Sequence, residues 1–436
     1  MKYKMISIKR SFVLVCTVGC ILLISDLTGV HRHFLEKDFA KEFSYPLDIQ
    51  DFKTMVLRFK NHEPVPVEPI NEVGSNLIYL SKAEEGCTST SYRLIILVKS
   101  NPSNFERRAV IRETWGYPKR FSDVPIKTVF LLGFEKNLDD PVHEGQEKID
   151  TSTLDEAIEH EIIKFGDIVQ GDFHDTDFNS TIKIQMGLRW LVETCNQFRF
   201  AFIVTDDMYV SIKNLLKFVR HPVEYPNYWE KQKELDDRRN HKNFHQRVSR
   251  SIVDNHNYRE LNHLASDGTY SPEKAGQVNK LRVPKKPTKV WKNSPIDFDI
   301  DLSEDALLYA GNVVFANTHR YKIGTKYYLG LEEYSFNQMP PFVSSEAIVL
   351  SKSAVIELHY ASFYTKYLRL DDVFLGICAK KMELDPFHSK YFQRDPSLVH
   401  NPYGSKDFKY VITANNFDDP SGLKQFWNMQ KELANA

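Results

Sequence analysis

Three short apolar runs set the frame of the chain. Leu94 to Val98 reads Leu-Ile-Ile-Leu-Val, Val129 to Leu132 reads Val-Phe-Leu-Leu before Gly133, and Phe200 to Val204 reads Phe-Ala-Phe-Ile-Val before Thr205-Asp206-Asp207. Continuous hydrophobicity over four or five positions predicts strands covered on both faces. Between the runs, Ile158 and Ile162, then Ile182, Met186 and Trp190, recur at four-residue spacing and predict amphipathic helices. Strands alternating with such helices argue for an α/β fold with a mainly parallel central sheet. Ligands of such sheets bind beyond the carboxyl ends of the strands, where Gly133 and the Asp206-Asp207 pair fall.

The pattern lapses from about Pro222 to Asp301. Asp236-Asp237-Arg238-Arg239, four histidines at 241, 245, 256 and 263, and Lys285-Lys286 replace the apolar repeats, so this segment is expected to be a solvated insertion of nearly balanced charge. Its histidines lack ligand spacing with Cys or acids. Periodicity resumes with Leu307 to Gly311, Met339-Pro340-Pro341-Phe342, a strand at Ile348-Val349-Leu350 and a helix from Lys352 to Leu358. A second acidic pair, Asp371-Asp372, stands directly before an apolar segment, Val373 to Gly376.

At the other end, Lys2, Lys4, Lys9 and Arg10 precede an apolar run from Phe12 to Ile24 that continues weakly to Val30. The unbroken part is shorter than the roughly 20 residues of a membrane helix, so a cleaved signal peptide competes with an anchor. No convincing small-x-small cleavage site follows. The reading is therefore a cytoplasmic tail over 1–10, a signal-anchor transmembrane helix over 11–30 and a lumenal remainder. Residues 31–92, with Pro64, Pro66 and Pro69 and no sustained period, are expected to be a stem, leaving 93–436 as the catalytic head with its insertion at about 222–301.

Composition changes the picture in two ways. Lys and Arg number 57 against 58 Asp and Glu, a balance that offers no bulk attraction to nucleic acid, which is not expected as a partner. Five Cys in 436 residues are too few to build a scaffold, so the core carries the stability. Beyond the anchor, two of Cys87, Cys195 and Cys378 would pair in an oxidising lumen, and sequence leaves open which. Asn179-Ser180-Thr181 is an N-glycosylation acceptor pattern, with Asn179 the candidate site.

Adjacent carboxylates at a strand end can offer hard oxygen ligands to Mg²⁺ or Mn²⁺ bridging a diphosphate, whose departure the cation would ease. A second carboxylate near an acceptor hydroxyl can take its proton. One pair for the leaving group and one for the nucleophile make a complete displacement. Gly-x-Gly-x-x-Gly after the first strand, the P-loop, His-Glu-x-x-His and Gly-x-Ser-x-Gly are all absent, which removes the main sequence support for dinucleotide, NTPase, zinc-protease and serine-hydrolase chemistry.

Several motifs in order resemble the β-1,3-galactosyltransferase and β-1,3-N-acetylglucosaminyltransferase family, the inverting glycosyltransferase family 31. Arg108 to Gly116 is similar to its Arg-x-x-Ile-Arg-x-Thr-Trp, and Phe130 to Gly133 to its Phe-Leu-Leu-Gly. Gly166 to Asp175, with Asn179, Thr181 and Lys183, looks like its Asp-Phe-x-Asp motif and the Asn-Leu-Thr-x-Lys that follows. Trp190, Cys195, Pro340-Pro341-Phe342 and Asp371 to Gly376 complete the order, across about residues 93–221 and 303–429.

The resemblance implies a type II Golgi membrane protein with a lumenal GT-A domain and a role in protein or lipid glycosylation. Its cofactor would be Mn²⁺ or Mg²⁺ and its donor a UDP-sugar, UDP-galactose or UDP-N-acetylglucosamine. Transfer to the 3-hydroxyl of a glycan acceptor would invert the anomeric centre. By position Asp207 would ligate the metal with Asp206 beside it, Asp372 would be the catalytic base, and Arg108, Arg112 and Lys183 would lie on the donor side, unless the arginines form ion pairs supporting the sheet.

Some positions depart from the family. Its Asp-Asp-Asp is Thr205-Asp206-Asp207 here, and its C-terminal Ile-Thr-x-His, whose His is a metal ligand in relatives, is Ile412-Thr413-Ala414-Asn415. Family glycines after Pro-Pro-aromatic are replaced by Ser345 and Ala347. These changes leave a second expectation, a catalytically impaired Golgi glycan-binding or chaperone protein of the same fold.

Overall fold

The computed structural model describes the chain apart from residues 1–12, 22, 26–33, 45–48, 50, 72–75, 122, 136–150, 228–301, 319–326 and 394–407. The segment expected as a cytoplasmic tail over 1–10 and nearly all of the insertion expected at 222–301 lie outside the described residues. Two compact units emerge, one from residues 1–49 with 315–340 and one from 50–314 with 341–436. In the first, Lys37 bridges to Phe336 and the rings of Phe39, Phe43 and Phe336 cluster. Its helical residues 13–21 expose Val13, Leu14, Val15, Val18 and Ile21. Among the described residues no helix is long and apolar enough to cross a membrane.

The second unit is built on one sheet. Its strands are β1 (Tyr79–Lys82), β2 (Tyr92–Lys99), β3 (Ile126–Phe134), β4 (Ile168–His174), β5 (Phe198–Thr205), β7 (Tyr309–Val314), β8 (Phe342–Ser351) and β9 (Phe387–His388). They lie in the order β1-β4-β3-β2-β5-β8-β7-β9. A separate ribbon pairs β6 (Tyr209–Val210) with β10 (Thr413–Ala414). The centre, β4-β3-β2-β5, is parallel throughout, whereas β1 and β8 run antiparallel to their neighbours and β7 antiparallel to β8. The α/β architecture with a mainly parallel central sheet is therefore present. Side chains at 94–98, 129–132 and 200–204 have almost no exposure, as double coverage requires.

Helices cover both faces. Leu94, Ile96, Val98, Phe130 and Phe202 join a core with α2 (Phe105–Glu113), α3 (Thr151–Phe165), α5 (Ile212–Arg220) and α8 (Pro420–Glu432) through Ile111, Ile158, Leu215 and Phe426. On the opposite face α4 (Ser180–Glu193) approaches closely, because a side chain at Gly187 would collide with Leu131 and Leu97. Alongside lie α6 (Lys352–Ser362) and α7 (Asp371–Lys381).

The structure changes two expectations and places the second acidic pair. The segment expected as stem to residue 92 joins the fold: α1 (Phe52–Lys60) buries Phe52, Met55 and Val56 and sets Phe59 against Tyr364, and β1 extends the sheet beside β4. Spacing of i, i+3, i+4 in so short a helix was too little to stand out among prolines. The helix carrying Met186 and Trp190 is buried almost all round, with Ile182 only partly covered, so it is more than a one-sided stripe. Asp371-Asp372, read as standing directly before an apolar segment, opens α7, whose first turn carries both carboxylates.

Candidate active site

The central strand order reverses between β2 and β5, since β2 continues to β3 on one side and pairs with β5 on the other. Such a switch point leaves a crevice at the carboxyl ends. In register, Lys99 lies beside Thr205, so Lys99-Ser100 and Asp206-Asp207 leave the sheet side by side.

Asp206 is buried and fully engaged. Its Oδ2 accepts from Ser100 Oγ at 2.6 Å and Asn104 Nδ2 at 2.9 Å, and its Oδ1 from Arg107 Nη1 at 3.1 Å. Arg107 also reaches Asp418 at 3.1 Å. Expected beside the metal ligand, Asp206 is held by the β2–α2 connection and by α2, and fixes the turn that presents its neighbour. Asp207 is different, for its Oδ1 is buried without a hydrogen-bond partner.

The same is true of Asn415 Oδ1. Ala414 pairs with Tyr209, and the Phe417 N–H donates to the Asp207 carbonyl at 3.0 Å, so the segment with Asn415 runs beside Asp207. Two unpartnered buried oxygens suit a hard cation such as Mg²⁺ or Mn²⁺. Among the described residues no group of three or more His, Cys, Asp or Glu is gathered for a metal. Asp207 and Asn415 are the residues that would hold one, with other oxygens completing its shell.

The arginines occupy the other face of α2. Arg108 is wholly buried, and its guanidinium contacts Glu161, Ser100 Oγ and the carbonyls of Asn101 and Pro102. Arg112, one turn on, binds Glu161 at 2.6 Å and Asp167 at 2.7 and 2.8 Å and stacks on Phe165. Burial alone would raise the Glu161 carboxyl, yet the two guanidiniums hold it below its usual range. Of the two roles expected for Arg108 and Arg112, the donor side or ion pairs supporting the sheet, the geometry shows ion pairs, both with Glu161 on α3 and Arg112 also with Asp167. Asn104 and Arg107, on the adjoining face, point to Asp206 instead.

Lys183 stands nearer the crevice. Its ammonium donates to the Ser100 carbonyl at 2.6 Å and pairs with Asp175 Oδ1 at 2.6 Å, while Asp175 Oδ2 accepts the Gly133 N–H at 2.8 Å. Burial pushes the Lys183 pKa down, against the pull of Asp175. It joins the ends of β2, β3 and β4.

The second acidic pair reaches the same strand ends. Lys99 Nζ lies 2.7 Å from Asp371 Oδ2 and 2.5 Å from Ser345 Oγ, which donates to that Oδ2 at 2.9 Å. Asp372, next on α7 and partly exposed, accepts the Val373 N–H at 2.8 Å. Burial and then the Asp371 charge push its pKa up to about 6. A carboxylate of raised proton affinity at a cleft is suited to general-base work. Gly376 lets α7 sit this close to β8, since a Cβ there would meet the Phe342 Cβ at 2.6 Å.

Asn179, the glycosylation candidate, uses its amide within the fold, donating to the His174 carbonyl at 2.8 Å. The hydroxyls of Ser180 and Thr181 donate to the carbonyls of Arg369 and Leu368 at 3.0 and 2.6 Å. The triplet thus secures the loop leading into Asp371-Asp372, and this geometry supplies a structural reason for it. Sequence reasoning passed over Lys99, Ser100, Asn104 and Arg107. The signal available was polar residues directly after the apolar run at 94–98.

Acidic residues are thus gathered at the switch point of a doubly covered α/β sheet, where such sheets bind their ligands. The profile of the Galactosyltransferase family matches residues 106–263 and 296–390, and the chain belongs to that family of glycosyltransferases. It is 28% identical over 413 residues to beta-1,3-galactosyltransferase brn of Drosophila melanogaster, covering 94% of this chain and 92% of the relative. It is 25% identical over 329 residues to the lactosylceramide 1,3-N-acetyl-beta-D-glucosaminyltransferase of Xenopus tropicalis, 74% of this chain and 63% of that one. A crystal structure of the galactosyltransferase LgtC with donor and acceptor sugar analogs is similar with a TM-score of 0.30 and 10% identity, covering 78% of this chain and 95% of that chain. The fold described above rests on this chain's own sheet.

Proposed function

We propose that the protein is an inverting β-1,3-glycosyltransferase that moves galactose or N-acetylglucosamine from a UDP-sugar to the 3-hydroxyl of an acceptor glycan. One observation carries it: Lys99 and Ser100, adjacent at the end of β2, bind Asp371 and Asp206 respectively, which draws the two acidic pairs to one crevice. The names of the relatives support the β-1,3 linkage and both donor choices.

Asp372 takes the proton of the acceptor hydroxyl as that oxygen forms its bond to the anomeric carbon. The bond from that carbon to the UDP oxygen breaks on the opposite face. A single carboxylate at the sugar suffices, and the configuration inverts. Asp206, locked by Ser100, Asn104 and Arg107, orients the turn that presents Asp207. Held by Asp207 and Asn415, a divalent cation would offset charge on the departing diphosphate. Lys183, paired with Asp175 and bonded to the Ser100 carbonyl, holds together the strand ends that frame the crevice.

The protein is further proposed to be a Golgi type II membrane protein. Support comes from the apolar helical residues 13–21 and from the Cys87–Cys195 disulfide, since such bonds persist in oxidising compartments. Cys378 is buried and free.

Turnover of UDP-galactose, UDP-N-acetylglucosamine and UDP-N-acetylgalactosamine over a glycan panel, with Mn²⁺ added, tests the function. A β linkage formed from an α-linked donor is expected. Retained α configuration contradicts the mechanism, and no turnover with any donor favours a glycan-binding protein of the same fold. The observation that favours this second reading is the two-residue, imidazole-free cation site.

A further inference from the structure

We propose that Asp371 is a positioning residue for the base, held as a fixed anion by Lys99 and Ser345, and that the Ser345 hydroxyl is a working part of that device in this chain. The inference rests on Asp372 being the base and concerns what governs it.

Asp371 cannot itself meet an acceptor. It is 4% exposed, and its Oδ2 is taken by an ammonium and a hydroxyl. A buried carboxylate so engaged stays ionised, and although burial alone would raise its pKa, Lys99 and Ser345 hold it below the usual range. The Lys99 and Asp371 side chains are 7% and 6% exposed, which makes their ion pair a permanent part of the interior. Three elements contribute one atom each: β2 through Lys99, β8 through Ser345 and α7 through Asp371. Where the family resemblance expects glycine at 345, this chain places a hydroxyl that both accepts from the ammonium and donates to the carboxylate.

The charge next door then acts on Asp372. A fixed anion one residue away makes ionisation of Asp372 costlier and so strengthens its hold on a proton. The other titratable groups on the elements packed around α7 do not cancel this. Lys99 is already paired to Asp371, and Tyr309 on β7 is kept neutral by burial. Glu346 on β8 accepts from Ser344 at 3.4 Å. From α4, Lys183 is committed to Asp175. The His359 of α6, pushed down to about 4 by burial, is uncharged near neutrality.

The test is thermal unfolding of the full chain against pH, comparing wild type with Asp372→Asn, then Asp371→Asn with the double variant. Each difference isolates the titration of Asp372 without needing a substrate. A midpoint near 6 in the wild-type background is expected to fall by about one unit or more when residue 371 is neutral. Asp371→Glu is expected to restore it. An unchanged midpoint overturns the proposal. Should Asp371→Asn fail to fold, Lys99→Met with Asp371→Asn removes both buried charges. The midpoint then falls less but still falls, and a midpoint that stays or rises is equally fatal. Ser345→Ala is expected to lower kcat several-fold with KM unchanged and Ser345→Thr to recover it, whereas equal activity in all three removes Ser345 from the device. If Asp372→Asn keeps full turnover while the titration behaves as described, the base assignment fails and with it the positioning role, and only the coupling of the Asp371 charge to Asp372 remains.

Discussion

Ser100 and Asp206 are joined by a 2.6 Å hydrogen bond that ties the end of β2 to the end of β5. The same Ser100 gives its carbonyl to Lys183 and lies 3.3 Å from Arg108 Nη1. One small residue at the switch point therefore links the acidic turn to the α2 ion pairs and to α4. It also separates the roles of the two adjacent aspartates.

Asp206→Ala and Asp207→Ala are expected to differ in kind. The first strands Ser100, Asn104 and Arg107 and should destabilise the fold by about 2–4 kcal/mol. The second removes an oxygen that has no partner, so stability should change by less than about 1 kcal/mol while turnover and cation-dependent thermal stabilisation with UDP disappear. Denaturant titration with and without Mn²⁺ checks both. Equal destabilisation by the two variants refutes the division of roles.

Glu161→Gln should cost roughly 3 kcal/mol or more, because it leaves Arg108 and Arg112 buried beside a neutral amide. The donor KM of the folded enzyme should stay within about two-fold, an expectation that follows from their structural role. A selective rise in donor KM with stability intact would return the arginines to the donor site.

Activity should fall on the acid side with an apparent pKa of about 6, since Asp372 works only when ionised. The stability effect has the opposite sense. A group whose pKa is raised in the folded state lends stability that is complete below its unfolded value, near 4, and lost as pH climbs through 6. Asp372→Asn should thus lose most of its turnover yet melt higher than wild type above pH 6, with the gap closing toward pH 4. A gap that widens on acidification contradicts the shift.

Asn415→His would set an imidazole nitrogen beside Asp207. Imidazole suits transition metals better than an amide oxygen does, so Mn²⁺ affinity measured by calorimetry should rise about ten-fold, with a smaller gain for Mg²⁺. No change in either affinity would place the cation elsewhere.

Loss of the Cys87–Cys195 bond, which closes a loop across 108 residues of sequence, should lower stability by about 2–5 kcal/mol. Non-reducing mass mapping checks the pairing, and a Cys378-containing disulfide would contradict it.

The sheet was largely legible because doubly covered strands must be apolar at every position, as at 94–98 and 200–204. Asp372 and Asp207 stood out for a similar reason, being charges directly at the edges of apolar segments. Side-chain direction was not legible. Arg108 and Arg112 share a helical face with each other, whereas Arg107 and Asn104 lie on the next one, and only packing against Glu161 decides which face meets the crevice. Nor could spacing reveal that Ser345 would bridge Lys99 to Asp371, since those residues come from positions 246 and 272 apart in sequence from Lys99. The stem boundary was missed because a nine-residue helix and a four-residue edge strand carry little periodicity.

UDP binding and turnover measured side by side on Asp372→Asn test most directly whether both acidic pairs serve one crevice in separate roles. Cation-dependent UDP affinity within about three-fold of wild type, with kcat reduced by about 10²–10⁴, is the predicted result. Wild-type kcat in that variant, or loss of UDP binding along with turnover, would contradict it.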